Sequence, residues 1–307
     1  MQKQSTNTVL MLRPKFFGVN PETAESNALQ AQSNDEVGVG DVAARAQEEF
    51  DGFVAQLRAA GVKVIVMEDS DDVRSPDAVF LNNWFSTHPG GRVVFYPMEA
   101  ENRRRERRLD MIEHLREEGI EVVETIDYSE YELEGKFLES TGSMILDREH
   151  GSFYACISTR TDEDLARKFA AEMDFKPVLF HAEDEAGVPL YHTNVMMAIG
   201  EGYAVVCLEV IVDKIERQIV VDNLMGSGHE IVDISLDQVR RFAGNMLQLR
   251  GANDQKVLVM SASARAALEP EQVATLERHA ELLVADVSVI ERCGGGSVRC
   301  MLGEVFC

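Results

Sequence analysis

A chain of 307 residues, 45% apolar and 27% charged, has ordinary globular composition and is long enough to bury a large core. Its 53 acidic residues outnumber 30 basic ones, and the formal charge of −23 argues against nucleic acid and anionic membranes as partners. No apolar run reaches membrane-spanning length and no signal-peptide core opens the chain, so a cytoplasmic protein is expected.

Residues 8–12 form an apolar run suited to a buried strand. Residues 13–21, with Pro14, Gly18, Pro21 and the paired Phe16 and Phe17, read as a loop, and residues 13–20 as a lid or rim. Residues 41–60 have helical periodicity that stops at Gly61, and 62–67 form a second strand. The pattern then restarts with strands at 78–81 and 92–96, a helix at 101–118 and a strand at 121–125. Within that helix Arg103, Arg104, Arg105, Arg107 and Arg108 read as a solvated face or a subunit contact. A third round has strands at 143–146 and 152–157, a helix at 162–173 and a strand at 177–180. A fourth has strands at 192–199 and 203–207, a helix near 213–225 and a strand at 230–233. A fifth has strands at 244–250 and 256–260, a helix at 269–279 and a strand at 281–285; a last strand covers 301–302.

Most rounds run strand, strand, helix, strand over about 50–60 residues, the length of a repeat unit. Five of them predict an α/β fold in which ββαβ units close into a ring around a central channel, not a doubly wound sheet. No GxGxxG opens a helix after a strand, so a dinucleotide fold has little support.

The last stretch, ERCGGGSVRCMLGEVFC, reads as a turn followed by a strand. Gly294, Gly295 and Gly296 strip one bend of side chains, which lets a ligand or another strand approach closely. Arg299 and Cys300 follow at the strand mouth, and a cysteine beside a cation is a nucleophile candidate. The competing reading is a buried core thiol. Cys156, Cys207, Cys293, Cys300 and Cys307 are odd in number and lack paired spacing, which fits a reduced protein. Neither CxxC nor Cys/His ligand spacing occurs, so no metal is assigned.

A nucleophile needs an acid or base, most often His. His88, His114, His150, His181, His229 and His279 lie in helices, loops or charged stretches and read as solvated. His192 instead opens the first strand of the fourth unit, followed by Thr193, Asn194 and an apolar run; the alternative is a satisfied structural histidine. Glu139 follows Phe137 and Leu138 and precedes a small, hydroxyl-rich turn, unlike a solvated acid. Asp77, Phe80, Asn82, Asn83 and Trp84 cluster at a strand end as a ligand-facing edge or an ordinary turn. Arg160, in a loop before a helix, can hold a carboxylate bidentately or form a surface ion pair.

The ordered set Asp77, Asn83, Glu139, Arg160, His192 and Gly-Gly-Gly…Cys300 resembles the guanidine-modifying enzyme superfamily of arginine deiminases, dimethylarginine dimethylaminohydrolases and amidinotransferases. The segments RPKFFGVNPETAESN, DAVFLNNWFSTHPGGRVVFYPMEAENRRRERR, YHTNV and ERCGGGSVRCMLGEVF most resemble its citrulline utilisation hydrolases, over nearly the whole chain. The resemblance implies a single catalytic domain over residues 1–307 with the five-bladed β/α propeller (pentein) fold. It implies Cys300 as nucleophile, His192 as general acid/base and Glu139 as the acid that binds substrate and assists proton transfer. Arg160 would grip the amino acid's carboxylate, Phe80 would pack on the planar head, and Asp77 would stand on the substrate side.

Two departures bear on the substrate. The deiminases carry aspartates where this chain has Asn83 and Asn194, and asparagine offers a donor and an acceptor but no charge. A neutral ureido group suits two asparagines better than a guanidinium does, so citrulline is the expected substrate, hydrolysed to ornithine, ammonia and carbon dioxide through a covalent Cys300 intermediate. Neither metal nor organic cofactor is needed for that chemistry. Hydrolysis of arginine or a methylarginine, amidino transfer and a non-enzymatic binding propeller are the rival readings. Arg299 would either act on the Cys300 thiol or bind substrate, and the outer helices could pair the chain as a homodimer.

Overall fold

The computed structural model describes residues 3–23, 27, 29–31, 33 and 41–306. Fifteen strands among them form five three-stranded sheets. The chain opens with β1 (Thr8–Arg13) and β2 (Lys63–Glu68). Then come β3 (Phe85–His88), β4 (Arg92–Phe95) and β5 (Glu124–Asp127), and β6 (Ile145–Asp147), β7 (Ser152–Cys156) and β8 (Lys176–Phe180). The last sets are β9 (Met197–Gly200), β10 (Tyr203–Val206) and β11 (Glu230–Asp233), and β12 (Leu247–Arg250), β13 (Lys256–Ser261) and β14 (Glu281–Ala285). A two-residue β15 (Gly303–Glu304) ends the series.

Every sheet follows one rule: the middle strand is antiparallel to one neighbour and parallel to the other. The parallel link needs a crossover, and a helix supplies it in each unit. The first sheet is completed from the far end of the chain, where β15 pairs antiparallel with β1. Successive sheets are neighbours. β15 lies beside β3, the turn Ser140–Ser143 packs on β3, β6 lies beside β9, and β9 beside β12. Leu249, Val257 and Val259 of the fifth sheet share a core with Val9 and Met11 of the first.

The middle strands are legible as strands because both faces are covered: β7 and β10 are buried at every residue, so they read as continuous apolar runs. Helix Val42–Ala59 buries Val42, Ala46, Phe50, Phe53, Val54 and Leu57 at three- and four-residue spacing. Asp41 caps its start by accepting from the Ala44 amide, and Gly61 turns the chain at φ +86°. Helices Glu163–Met173 and Lys214–Gly226 begin at the capping aspartates Asp162 and Asp213. Among the described residues no helix is long and apolar enough to cross a membrane.

Several expectations are corrected. Residues 78–81 are a turn and not a strand; Ala78, Val79, Phe80 and Leu81 are apolar because the turn is packed on all sides. Residues 192–196 likewise form a helical turn, Thr193–Val195, before β9. The helix expected over 101–118 is broken into Glu101–Arg104 and Met111–Glu117, since Arg103 turns inward onto Glu106. The following strand is displaced to Glu124–Asp127, and those expected at 143 and 244 start later, at Ile145 and Leu247. The C-terminal stretch begins as a helix, Ser288–Gly294, and Cys300 sits in a turn rather than at the mouth of a strand over 301–302. Cys307 and residues 24–26 of the quoted N-terminal segment lie outside the described residues.

Candidate active site

The turns that enter the first strands carry the chemistry. Leu81–Asn83 precedes β3, Ser140–Ser143 precedes β6, and Thr193–Val195 precedes β9. Asn245 lies just before β12, and Cys300 just before β15. Each sheet thus delivers one polar turn, and the turns brace one another. Asn82 Nδ2 donates to Thr141 Oγ1 at 3.2 Å, and the Thr141 hydroxyl donates to Asn82 O at 3.2 Å. Asn245 Nδ2 donates to Asn194 O at 2.9 Å, and Asn245 Oδ1 accepts the Arg299 amide at 3.0 Å.

Between them lies a small cavity of about 20 Å³ that Cys300 and His192 both line, with Asp77, Phe80, Asn83 and Arg160. Larger hollows of about 580 and 550 Å³ lack a nucleophile paired with a base. Cys300 Sγ receives two amide donors, Asn194 Nδ2 and Asn245 Nδ2, each at 3.3 Å. His192 Nε2 lies 2.7 Å from Glu139 Oε2. Glu139 Oε1 accepts the Glu99 amide at 3.0 Å, and the Arg160 guanidinium stands 3.6 Å from Oε2. Burial works against the Glu139 charge, but Arg160 and the His192 hydrogen bond outweigh it and hold the carboxyl down at about 2. Burial lowers His192 to about 4, and the Glu139 bond only partly opposes this. At neutral pH the pair is therefore a carboxylate and a neutral imidazole. The only proton that can bridge them sits on Nε2, which leaves Nδ1 as a free base.

The other wall is built around Asp77. Asn20 Nδ2 donates to Asp77 Oδ2 at 2.7 Å, and Arg103 Nε stands 3.7 Å from the same oxygen. Among the described residues Asp77 Oδ1 is buried without a hydrogen-bond partner, and desolvation raises the Asp77 pKa against the pull of Arg103. Arg103 is clamped by Glu106 at 2.9 Å and donates to Asn83 Oδ1 at 2.9 Å. Burial pushes Glu106 up to about 7 despite that partner, and repulsion from the Asp77 charge adds to the rise. Arg103 has only donors, so it fixes the Asn83 amide with Oδ1 toward the guanidinium, and Nδ2 has no partner among the described residues. Phe80 packs edge-on to Phe17 at 6.3 Å. A Cβ on Gly294 would overlap its ring and one on Gly296 would lie 2.9 Å away, so the expected close approach to the glycine bend is made by Phe80. Gly295 takes φ +63°, and Asn27 Nδ2 donates to Gly294 O at 3.0 Å across the bend. Arg160 lies 5.0 Å over the Tyr191 ring and donates to Glu99 at 3.2 Å.

Cys300, His192, Asp77, Phe80, Asn83 and Arg160 are thus brought together, with Asn194 against the sulfur. Two expectations change. Arg299 turns away: its guanidinium bonds Leu302 O at 3.0 Å and Glu304 at 2.9 Å, and it does not line the cavity. Glu139 stands behind the imidazole, bonded to His192, rather than on the cavity wall. Sequence reasoning missed Arg103, hidden in a run that reads as a solvated face, and Asn245, which no motif marks. It also missed Tyr191, whose hydroxyl donates to Gly295 O at 2.7 Å, although it directly precedes the singled-out histidine.

Known structures share this fold. The substrate-bound N-terminal domain of ArgZ, an arginine dihydrolase of the cyanobacterial ornithine–ammonia cycle, matches at 16% identity and TM-score 0.71, covering 97% of each chain. Unliganded AgrE matches at 17% identity and TM-score 0.74 over 97% of this chain and 39% of its own. A dimethylarginine dimethylaminohydrolase variant, captured as an adduct with S-methyl-L-thiocitrulline, matches at 17% identity and TM-score 0.65 over 99% and 100%. No curated protein matches. The profile of the family described as N,N dimethylarginine dimethylhydrolase, eukaryotic, spans residues 13–307, and this chain belongs to that family of hydrolytic enzymes within the guanidine-modifying superfamily.

Proposed function

We propose that this protein is a single-domain, five-bladed propeller hydrolase that cleaves the ureido C–N bond of citrulline or a related amino acid through Cys300. The observation that carries the substrate class is the unpartnered Asn83 Nδ2. Arg103 holds the Asn83 amide by its oxygen, so the cavity lining carries a buried donor, Asn83 Nδ2, and a buried acceptor, Asp77 Oδ1, both without a partner among the described residues. A ureido group has a C=O for the donor and N–H groups for the acceptor. A guanidinium has only N–H groups and would leave Nδ2 facing a donor, a mismatch of about 1–3 kcal/mol.

In this reading His192 Nδ1 takes the Cys300 proton, and Asn194 and Asn245 steady the sulfur anion. The sulfur adds to the trigonal carbon, and His192 returns the proton to the departing δ-amine of ornithine. An S-carbamoyl cysteine remains. Water, deprotonated by the same imidazole, cleaves it to carbamate, which falls apart to ammonia and carbon dioxide. Phe80 packs on the planar head and Arg160 meets the carboxylate. The expected homodimer has a candidate surface on helix Lys214–Gly226, where Ile215, Ile219 and Met225 stand exposed; sedimentation tests it.

A second reading, hydrolysis of arginine or a methylarginine, is favoured by family membership and by Asp77 Oδ1, which would suit a cation. Parallel assays of ammonia, ornithine and alkylamine release from citrulline, arginine and N,N-dimethylarginine separate the two. Faster turnover of either guanidino compound overturns the ureido assignment.

A further inference from the structure

Away from the cavity, Asp147 at the end of β6, His150 in the following turn and His229 just before β11 bring three ligand atoms within 4.8 Å of one another. Asp147 Oδ1 lies 2.8 Å from His150 Nδ1, and the two imidazole rings meet edge to face with centroids 5.2 Å apart. Asp147 is wholly buried, yet among the described residues its Oδ2 has no hydrogen-bond partner. That oxygen faces His229 Nε2 at 3.8 Å, too long for a hydrogen bond.

The orientation of His229 makes the gap informative. Its Nδ1 lies 3.3 Å from Leu224 O, and a carbonyl can only accept, so Nδ1 carries the proton. Neutral His229 therefore points its Nε2 lone pair at a carboxylate oxygen, acceptor against acceptor. A cation between them removes the conflict: a second proton on His229, or a metal. A metal fits the spacing, because metal–N and metal–O bonds of about 2.0–2.2 Å place two ligands of one ion three to four ångströms apart. An imidazole whose other nitrogen is held by a backbone carbonyl is the arrangement metal-ligating histidines favour. His150 is about one-third exposed and gives the ion a route from solvent.

We propose that Asp147, His150 and His229 bind a divalent transition-metal ion of the zinc type, with the remaining coordination position open to water. Two imidazoles and one carboxylate are a zinc-type donor set. Such an ion would pin the sheet of β6–β8 to that of β9–β11, which meet where β6 lies beside β9. The ligands are 82 residues apart at the extremes (147 to 229), so ligand spacing along the chain does not reveal them.

The test uses the full chain carrying Cys300→Ser, so that the reaction-site thiol cannot take up metal. After chelator treatment it is titrated with Zn²⁺ by calorimetry and with Co²⁺ by visible absorption, and its melting is followed. The expected result is a single ion per chain, cobalt d–d bands without a thiolate charge-transfer band, and a raised Tm. His150→Ala and His229→Ala should each weaken binding by more than about tenfold and abolish the Tm rise. If His229→Ala does not fold, the more exposed His150→Ala decides. Absence of saturable binding, or binding unchanged in His150→Ala, overturns the site.

Discussion

The proton shared by Glu139 and His192 decides which way the imidazole works. With Glu139 held at about 2 and His192 at about 4, Nδ1 is a free base throughout the neutral range. kcat/KM should fall on the acid side as His192 protonates near pH 4, provided the fold survives there. The same shifts bear on stability. Both folded-state pKa values lie below the ordinary 4.5 and 6.5, so the unfolded chain binds more protons. Their contribution is full above pH 6.5 and drains away as pH falls, first through His192 and then through Glu139. Glu139→Gln keeps a hydrogen-bond acceptor but removes the charge behind the imidazole. It should lower kcat by about 10²–10⁴-fold with little change in KM. Asn83→Asp tests the substrate argument: citrulline turnover should drop about 10–100-fold while the arginine-to-citrulline ratio of kcat/KM rises. An unchanged ratio would remove the Asn83 argument.

Elements position these groups through packing that leaves little slack. The glycine bend exists to admit the Phe80 ring, so Gly294→Ala forces a Cβ into it. The expected loss is about 1–3 kcal/mol in urea unfolding, together with a raised KM as the ring is pushed toward the cavity. Gly52 is the counter-case: it lies mid-helix with open space around it, and Gly52→Ala should stabilise by about 0.5–1 kcal/mol without touching KM. The same contrast explains what was readable in the sequence. Covered middle strands such as β10 and capped helices such as Glu163–Met173 announce themselves by apolar runs and end residues. The turns at 78–81 and 192–196 did not, because a turn buried on all sides is as apolar as a strand. Cys300, His192 and Arg160 could be picked out by chemistry and family resemblance, and the cavity contains them. Arg103 could not, since nothing in a run of five arginines tells which one folds inward. The reverse failure is Arg299: adjacency to Cys300 in sequence suggested a shared site, but neighbouring residues in a turn point different ways.

At the scale of the whole molecule, the chain ends close the first sheet. β15 pairs with β1, and Glu304 on it sits between two buried cations, Arg299 at 2.9 Å and Arg148 at 3.9 Å. Burial already lowers the Arg148 pKa, which marks how much that cation depends on its carboxylate. Glu304→Gln leaves both arginines without a counter-charge and should cost about 3–5 kcal/mol of global stability, read as a lower denaturant midpoint with an unchanged slope. Because Glu304 reaches the Cys300 turn only through Arg299, kcat should suffer less than stability.

The most direct test of the account is acid-quenched mass spectrometry of the protein during turnover of citrulline, with peptide mapping of the modified site. A carbamoyl group on Cys300, absent in Cys300→Ala and formed while ornithine and ammonia are released, is the predicted result. Turnover with Cys300 unmodified, or an adduct that keeps the amino-acid chain and forms faster from arginine, would contradict it.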